Sequence, residues 1–253
     1  MAGRETADIV FCIDVSGSME PAIDGVKSHV KELVKSLEAD LQQKWDVRVD
    51  FLAYSMSDGF RLETMNCRGK DVLDAVYKDP ETADLQSEGA LFTRDIDKFC
   101  DALDRVKCHG DECTIPAVDI AADFPFRDAS TCHRAIVLLT DEAVETGMYS
   151  ADSEDKVLDL AQKLQEKRIA LYMTTPDCPV YDKLSQADRC EWNVDSSNGL
   201  GGVNFNKLMQ SIGKSISVSQ TSQAGGQKRD KPRPLFNESK WRSMTNESVS
   251  PRF

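Results

Sequence analysis

The sequence predicts a three-layer α/β fold in which helices cover both faces of a mostly parallel, six-stranded sheet. Two observations carry this prediction. Short apolar runs alternate along the chain with segments of helical periodicity, and polar residues bound each run. Strands buried on both faces and separated by helices are typical of βαβ crossovers, which place strands parallel. With 253 residues and 40% hydrophobic content, the chain can bury a substantial core.

Each predicted strand is a short apolar or alternating run, and the third should lie at an edge of the sheet. The predicted strands cover residues 7–14, 46–54, 60–65, 134–140, 169–174 and 191–194. The first helix repeats apolar residues at helical spacing, with Pro21 in its first turn. Asp71 should cap the second helix, and Thr93 or Asp95 should cap the third. The predicted helices cover residues 23–41, 71–77, 96–106, 114–122, 150–167 and 204–216.

Composition narrows the function classes. A net charge of −12 argues against nucleic acid as a partner, because phosphates would be repelled. No apolar stretch approaches the length of about 20 residues that spans a bilayer, so we expect no membrane partner. The first six residues lack the apolar stretch of a signal peptide, and we expect a cytoplasmic protein. Its eight cysteines should then be reduced.

The chain divides into an acidic body and a basic tail. We predict one domain over residues 1–216 and a flexible tail over residues 217–253, which begins with a Ser-, Gln- and Gly-rich linker. Three interpretations of the tail stay open: an inert disordered end, a docking peptide for a partner, or an autoinhibitory segment that binds the body. Its candidate anchors are proline and large apolar residues, namely Pro232, Pro234, Leu235, Phe236 and Trp241.

Oxygen-bearing side chains follow two of the strongest predicted strands. Asp14, Ser16 and Ser18 occupy alternate positions after the first strand, and Asp141 follows the strand that ends at Thr140. Strands that run parallel end at the same edge of a sheet, where α/β proteins form their sites. Carboxylate and hydroxyl oxygens are hard ligands that suit Mg²⁺, with Mn²⁺ and Ca²⁺ as alternatives.

The motif Asp14-Val-Ser16-Gly-Ser18, followed by Thr114 and then Asp141, resembles a von Willebrand factor A domain with a complete metal-ion-dependent adhesion site. The resemblance implies a Rossmann-like fold and a bound Mg²⁺. It also implies that Ser16, Ser18 and Thr114 supply hydroxyl oxygens, while the two aspartates act directly or through water. One coordination position would stay open for an Asp or Glu carboxylate of a protein partner.

The resemblance is closest to intracellular, stand-alone members of the family. It implies a metal-dependent adaptor rather than an enzyme, and no catalytic residue is assigned. Bacterial members of this kind often act beside an AAA+ ATPase of the MoxR type or in multi-protein conflict and signalling systems. We therefore expect a protein partner of this class.

Four alternatives stay open beside this interpretation. The residues around Asp14 could simply cap a turn, or they could form a degenerate site that binds no metal. A phosphotransferase or hydrolase of the haloacid dehalogenase type also begins with an apolar strand that ends in Asp, but it needs a carboxyl acid where this chain has Ser16. Cys108, His109 and Cys113 could hold zinc with a further ligand. Cys132 should lie at the opposite end of the domain from them.

Overall fold

One six-stranded sheet forms the centre of the molecule, in the order β3-β2-β1-β4-β5-β6. All neighbouring strands are parallel except β2 and β3, which are antiparallel. In chain order the strands are β1 (Thr6–Asp14), β2 (Asp46–Met56), β3 (Phe60–Glu63), β4 (Cys132–Leu139), β5 (Ile169–Thr175) and β6 (Cys190–Val194). The computed structural model describes residues 6–38, 45–57, 59–77, 91–111, 113–144, 156–218, 232–235 and 245.

Helices cover both faces of this sheet and complete three layers. In chain order they are α1 (Glu20–Glu38), α2 (Lys70–Tyr77), α3 (Ile96–Leu103), α4 (Thr114–Ala122), α5 (Val157–Glu166), α6 (Pro179–Leu184) and α7 (Phe205–Val218). The apolar core has two parts, one on each face. One part packs the sheet against α1, α3 and α7, and the other packs it against α2, α4, α5 and α6. The predicted fold class is confirmed.

The alternation of β1 decides which side chains share a face. Ile9, Phe11 and Ile13 pack toward α1, whereas Val10 and Cys12 pack toward α4. The even-numbered positions of β1, and with them Asp14 at the end of the strand, therefore face α4. Because β1 and β4 are neighbouring parallel strands at the centre of the sheet, their carboxyl ends lie side by side.

The local predictions hold in most elements, with one correction. Asp95 is the cap of α3, and its side chain accepts a hydrogen bond of 3.1 Å from the backbone N–H of Lys98. Asp71 is not a cap, because α2 already begins at Lys70 and Asp71 lies in its first turn. No helix was predicted over the residues of α6. Two predicted helix boundaries lie outside the described residues: the end of α1 after residue 38 and the start of α5 before residue 156.

The carboxyl-terminal part of the chain is described at a few positions. Helix α7 ends at Val218, two residues beyond the predicted boundary of the domain. Pro232, Pro234 and Leu235 belong to the described segment 232–235, while Phe236 and Trp241 lie outside the described residues. The flexible character of residues 217–253 stays a prediction. Within the described ranges, no helix combines the length and the apolar character that crossing a bilayer requires.

Candidate metal centre

Five oxygen-bearing side chains meet at the carboxyl edge of the sheet. Asp14 ends β1, and Ser16 and Ser18 follow it in the loop that leads into α1. Thr114 is the first residue of α4, and Asp141 lies two residues after β4. Hydrogen bonds link the four residues from the β1 loop and the end of β4. Thr114 lies at the same edge, because it contacts Tyr54, which is aligned with Asp14 on the neighbouring strand.

Asp14 is fully buried and lies at the base of this cluster. Its Oδ1 accepts a hydrogen bond of 2.8 Å from the backbone N–H of Ser16, and its Oδ2 accepts one of 2.8 Å from the Thr140 hydroxyl. Burial raises the pKa of Asp14 to about 7, although both hydrogen bonds act to lower it. Asp141 adds to this rise, because its negative charge lies nearby. The bonds from Ser16 and Thr140 fix the carboxylate between β1 and β4.

Asp141 is partly exposed and forms the outer side of the cluster. Its Oδ1 accepts a hydrogen bond of 2.9 Å from the Ser18 hydroxyl, which in turn lies 3.4 Å from the Ser16 hydroxyl. Its Oδ2 accepts a hydrogen bond of 2.5 Å from the backbone N–H of Gly199. A loop distant in sequence therefore holds this carboxylate in place.

Gly199 occupies a position that only glycine fits. Its φ of 62° lies in the left-handed region, and a Cβ there would lie 2.5 Å from the backbone oxygen of Ser18. The Gly199 loop thus packs directly on the loop that carries Ser16 and Ser18. This close approach brings the Gly199 N–H within reach of Asp141.

Thr114 reaches the cluster from the start of a rigid helix. Every residue of α4 is buried, and Thr114 itself is 3% exposed. Its hydroxyl accepts a hydrogen bond of 3.0 Å from the hydroxyl of Tyr54. Burial raises the pKa of Tyr54, so the phenol stays protonated and can donate. The N-termini of α1 and α4 both lie at this edge, and helix N-termini favour anions.

The donor set fits a hard divalent cation. All five side chains offer oxygen, and the two carboxylates bring negative charge to one place. Within the described ranges, neither Asp14 nor Asp141 forms a salt bridge with a basic side chain. In the same ranges, no group of three or more His, Cys, Asp or Glu side chains is arranged so that it could hold a metal ion. The hydroxyl-rich composition of the site is therefore its main chemical feature.

Cys132 lies far from the three residues of the zinc alternative, Cys108, His109 and Cys113. Cys113 is buried at the start of α4. His109 is exposed, and its Nδ1 lies 2.5 Å from a guanidinium nitrogen of Arg61. Cys132 is aligned with Thr6, at the opposite end of the sheet from Asp14. The predicted separation of Cys132 from Cys113 is thus observed.

Three residues of the cluster were missed by the sequence analysis. Thr140 directly precedes Asp141, and its place at the end of an apolar strand was an available signal. Gly199 follows an asparagine, a pair typical of turns, but nothing in the sequence links that turn to Asp141. Tyr54 was treated only as part of a strand. Its contact with Thr114 depends on the packing of α4 against β2.

Comparison with models of known protein families identifies the family of this chain. A family model of the von Willebrand factor type A domain matches residues 8–186, which is well over half of the chain and includes all five residues of the cluster. The chain belongs to the von Willebrand factor type A domain family. Domains of this family often mediate protein interactions, in many cases with a bound metal.

A solved von Willebrand factor A domain shares the fold at low sequence identity. The crystal structure of the SpRpn10 VWA domain matches with a TM-score of 0.51 at 13% identity, covering 88% of this chain and 100% of that one. A von Willebrand factor type A protein from Catenulispora acidiphila gives a TM-score of 0.47 at 16% identity, covering 85% of this chain and 42% of that one. Comparison with curated proteins gives no match.

Proposed function

We propose that this von Willebrand factor A domain is a Mg²⁺-dependent protein-binding adaptor without catalytic activity. The residues that would hold the ion are Asp14, Ser16, Ser18, Thr114 and Asp141. Once bound, the ion would offer a coordination position to an Asp or Glu carboxylate of a partner protein. Mn²⁺ and Ca²⁺ are alternative ions of the same chemistry.

One observation carries this proposal. Two carboxylates converge beside three hydroxyls, and no basic side chain of the described residues forms an ion pair with either carboxylate. Two other buried aspartates, Asp8 and Asp119, pair instead with an arginine or a lysine of the domain. The charge at the carboxyl edge is therefore available to an external cation.

The surrounding residues have distinct roles in this proposal. Asp14, held by Ser16 and Thr140, fixes the loop from below and brings negative charge to the site. Asp141 is held by Ser18 and Gly199 at the partly exposed outer side, where a partner would approach. Helix N-termini at this edge would favour an anionic group of a partner.

The environment of Asp14 gives little support to a phosphotransferase or hydrolase. A nucleophilic carboxylate must reach its substrate, yet Asp14 is fully buried and both of its oxygens accept hydrogen bonds. The general acid that such an enzyme needs is replaced by Ser16, whose hydroxyl does not donate a proton at neutral pH. We extend the proposal to a partner system in the cytoplasm, such as an AAA+ ATPase of the MoxR type or a multi-protein conflict or signalling system.

Calorimetric titration of the full chain with Mg²⁺ tests the site directly. We expect one ion per chain, and we expect Asp141→Asn and Ser16→Ala to weaken its affinity at least tenfold. Asp177→Asn is the matched control, because this exposed aspartate follows β5 at the same edge of the sheet. Equal Mg²⁺ affinity in Asp141→Asn and wild type would contradict the proposed site.

Capture of partners from the native cell extract, with and without EDTA, tests the adaptor role. We expect a protein that is retained in Mg²⁺ and lost in EDTA, and that Asp14→Ala does not retain. A partner retained equally by Asp14→Ala in EDTA would contradict the role of the ion. Hydrolysis of a generic phosphate ester that depends on Mg²⁺ and disappears in Asp14→Asn would support the enzyme instead.

A further inference from the structure

A buried cluster of four charges joins α4 to α5, away from the metal centre. Lys163 is fully buried, and its Nζ donates hydrogen bonds of 2.6 Å to Asp119 Oδ1 and 2.8 Å to Asp123 Oδ2. Lys167 donates one of 2.5 Å to Asp123 Oδ1. Two carboxylates and two ammonium groups thus balance in charge, as burial of ionised groups requires.

The carboxyl-terminal segment 232–235 is bound to this cluster through its backbone. The N–H of Arg233 donates to Asp123 Oδ1 over 3.1 Å, and the N–H of Leu235 donates to Asp119 Oδ2 over 3.0 Å. The alternate residues are prolines, which have no backbone N–H. Every backbone N–H of this Pro-Arg-Pro-Leu segment is therefore directed at a buried carboxylate.

Side chains of the segment add two further contacts. Leu235 packs on the apolar core between the sheet and α4. The guanidinium of Arg233 donates a hydrogen bond of 2.8 Å to Glu166 Oε2, and both of these side chains are about half exposed. The four residues are exposed or only partly buried, so the segment lies on the surface of the domain.

From these contacts we infer that the surface formed by α4 and α5 is a peptide-recognition site for extended Pro-X-Pro-Leu segments. Residues 232–235 fill it in cis, and a partner protein that carries a segment of the same chemistry would compete for it. Asp119 and Asp123 would recognise the spacing of two backbone N–H groups of the peptide. The apolar surface that Leu235 contacts would bind the leucine of the peptide.

Two physical arguments favour a peptide ligand at this surface. Each proline fixes its own φ near the extended conformation, so the free segment loses little conformational entropy when it binds. A buried carboxylate oxygen that loses its donor is costly, so Asp119 and Asp123 favour any peptide that returns an N–H to them. This site does not depend on the metal centre, and its test is separate.

A labelled peptide with the sequence of residues 229–239 is the probe. It should bind the full-length Leu235→Pro variant, whose own segment lacks one N–H and the leucine contact, at least tenfold more tightly than the wild-type chain. The wild-type chain should bind weakly, because its tethered segment competes at a high effective concentration. Fluorescence anisotropy measures both affinities.

Two altered peptides serve as controls. A peptide with Leu235→Pro should bind at least tenfold more weakly, whereas a peptide with Arg233→Lys keeps the N–H and the charge and should bind within a few-fold. In the full-length Arg233→Pro chain the segment loses the N–H that bonds Asp123, so it should be released in a second, independent way. This variant should also bind the probe. Absence of binding to both released variants, or equal binding to them and to the wild type, would overturn the inference.

Discussion

Asp8 near the amino end of β1 and Asp14 at its carboxyl end are both fully buried, and both face α4, yet their surroundings differ in charge. Two arginines hold Asp8: Arg48 donates bonds of 2.9 and 2.6 Å to its two oxygens, and Arg127 donates further bonds from its backbone and side chain. Asp14 accepts hydrogen bonds from Ser16 and from the hydroxyl of Thr140, and it pairs with no basic side chain among the described residues.

The pKa values of the two aspartates move in opposite directions for this reason. Burial alone would raise the pKa of Asp8, but Arg48 and Arg127 bring it below the ordinary aspartate value. At Asp14 burial dominates, and the pKa rises to about 7. The protein supplies its own cations at one end of the strand. At the other end it leaves carboxylates and hydroxyls, which is the arrangement that a metal ion would complete.

Removal of the carboxylate at the amino end should have the largest effect on stability. Asp8→Ala leaves buried Arg48 without its partner and should lower the free energy of unfolding by roughly 3–5 kcal/mol. Asp46→Ala is the control at the same edge, because Asp46 is partly exposed and pairs with Arg94 and Arg127. It should cost about 1 kcal/mol or less. Urea unfolding measures both, and equal losses would contradict the account of the Asp8 pairing.

Asp50 is another buried aspartate, and it shows how burial without a basic partner should change stability with pH. Its carboxylate accepts backbone bonds from Phe51, Met65 and Phe92, and burial raises its pKa to about 6. The folded state therefore binds more protons than the unfolded state between about pH 4 and pH 6. Stability should fall as pH rises through this window.

Asp50→Asn removes this titration. In EDTA, the stability of the wild type relative to Asp50→Asn should fall by roughly 3 kcal/mol between pH 4 and pH 7, which corresponds to a shift of about two pKa units. Urea unfolding at several pH values gives the two curves. Curves that stay parallel over this range would show that Asp50 ionises as readily in the folded chain as in the unfolded one.

Addition of Mg²⁺ should separate the two ends of β1. At a concentration 100 times its dissociation constant, the ion should stabilise the wild type by about 2.7 kcal/mol. Mg²⁺ should stabilise the Asp8→Ala variant by the same amount, although this variant is less stable without the ion. It should not stabilise Asp14→Ala. Thermal unfolding with Mg²⁺ and with EDTA measures the increment. If Asp14→Ala gained as much as the wild type, the proposed metal centre would be refuted.

The smallest effect concerns the loop that supports Asp141. Gly199→Ala places a side chain in the left-handed region and against the Ser18 backbone, which should cost about 2 kcal/mol of stability and also weaken Mg²⁺ affinity. Gly17→Ala is the matched control, because a Cβ at Gly17 meets no atom within 4 Å. Urea unfolding and Mg²⁺ calorimetry compare the two variants, and equal behaviour would argue against the role of the Gly199 loop.

Local patterns in the sequence were enough to predict most of the fold. The apolar runs of β1 and β4 are strands because continuous burial on both faces leaves no other arrangement for such short segments. The candidate ligands were also accessible, because Asp14 and Asp141 follow those strands directly. Parallel pairing then places them at the same edge. Their role as metal ligands stays a proposal.

The sequence did not reveal the buried ion pairs. Lys163 occupies a polar-looking position on a helix, but it is fully buried because Asp119 and Asp123 on another helix compensate its charge. Arg48 and Asp8 likewise belong to different strands. A sequence pattern predicts that a charged residue faces solvent unless its partner is known. The partners of Arg48 and Lys163 are more than thirty residues away in the sequence.

The sequence by itself determined most strands and helices from their periodicity and the acidic body from composition. It also determined the candidate ligands Asp14, Ser16, Ser18, Thr114 and Asp141, because they lie at the ends of strands or at the start of a helix. Only the tertiary structure decided which carboxylates receive a cation from the protein and which do not. It also decided that Gly199 supports Asp141 and that residues 232–235 lie on Asp119 and Asp123. Those contacts join distant parts of the chain, and packing alone brings them within hydrogen-bond distance.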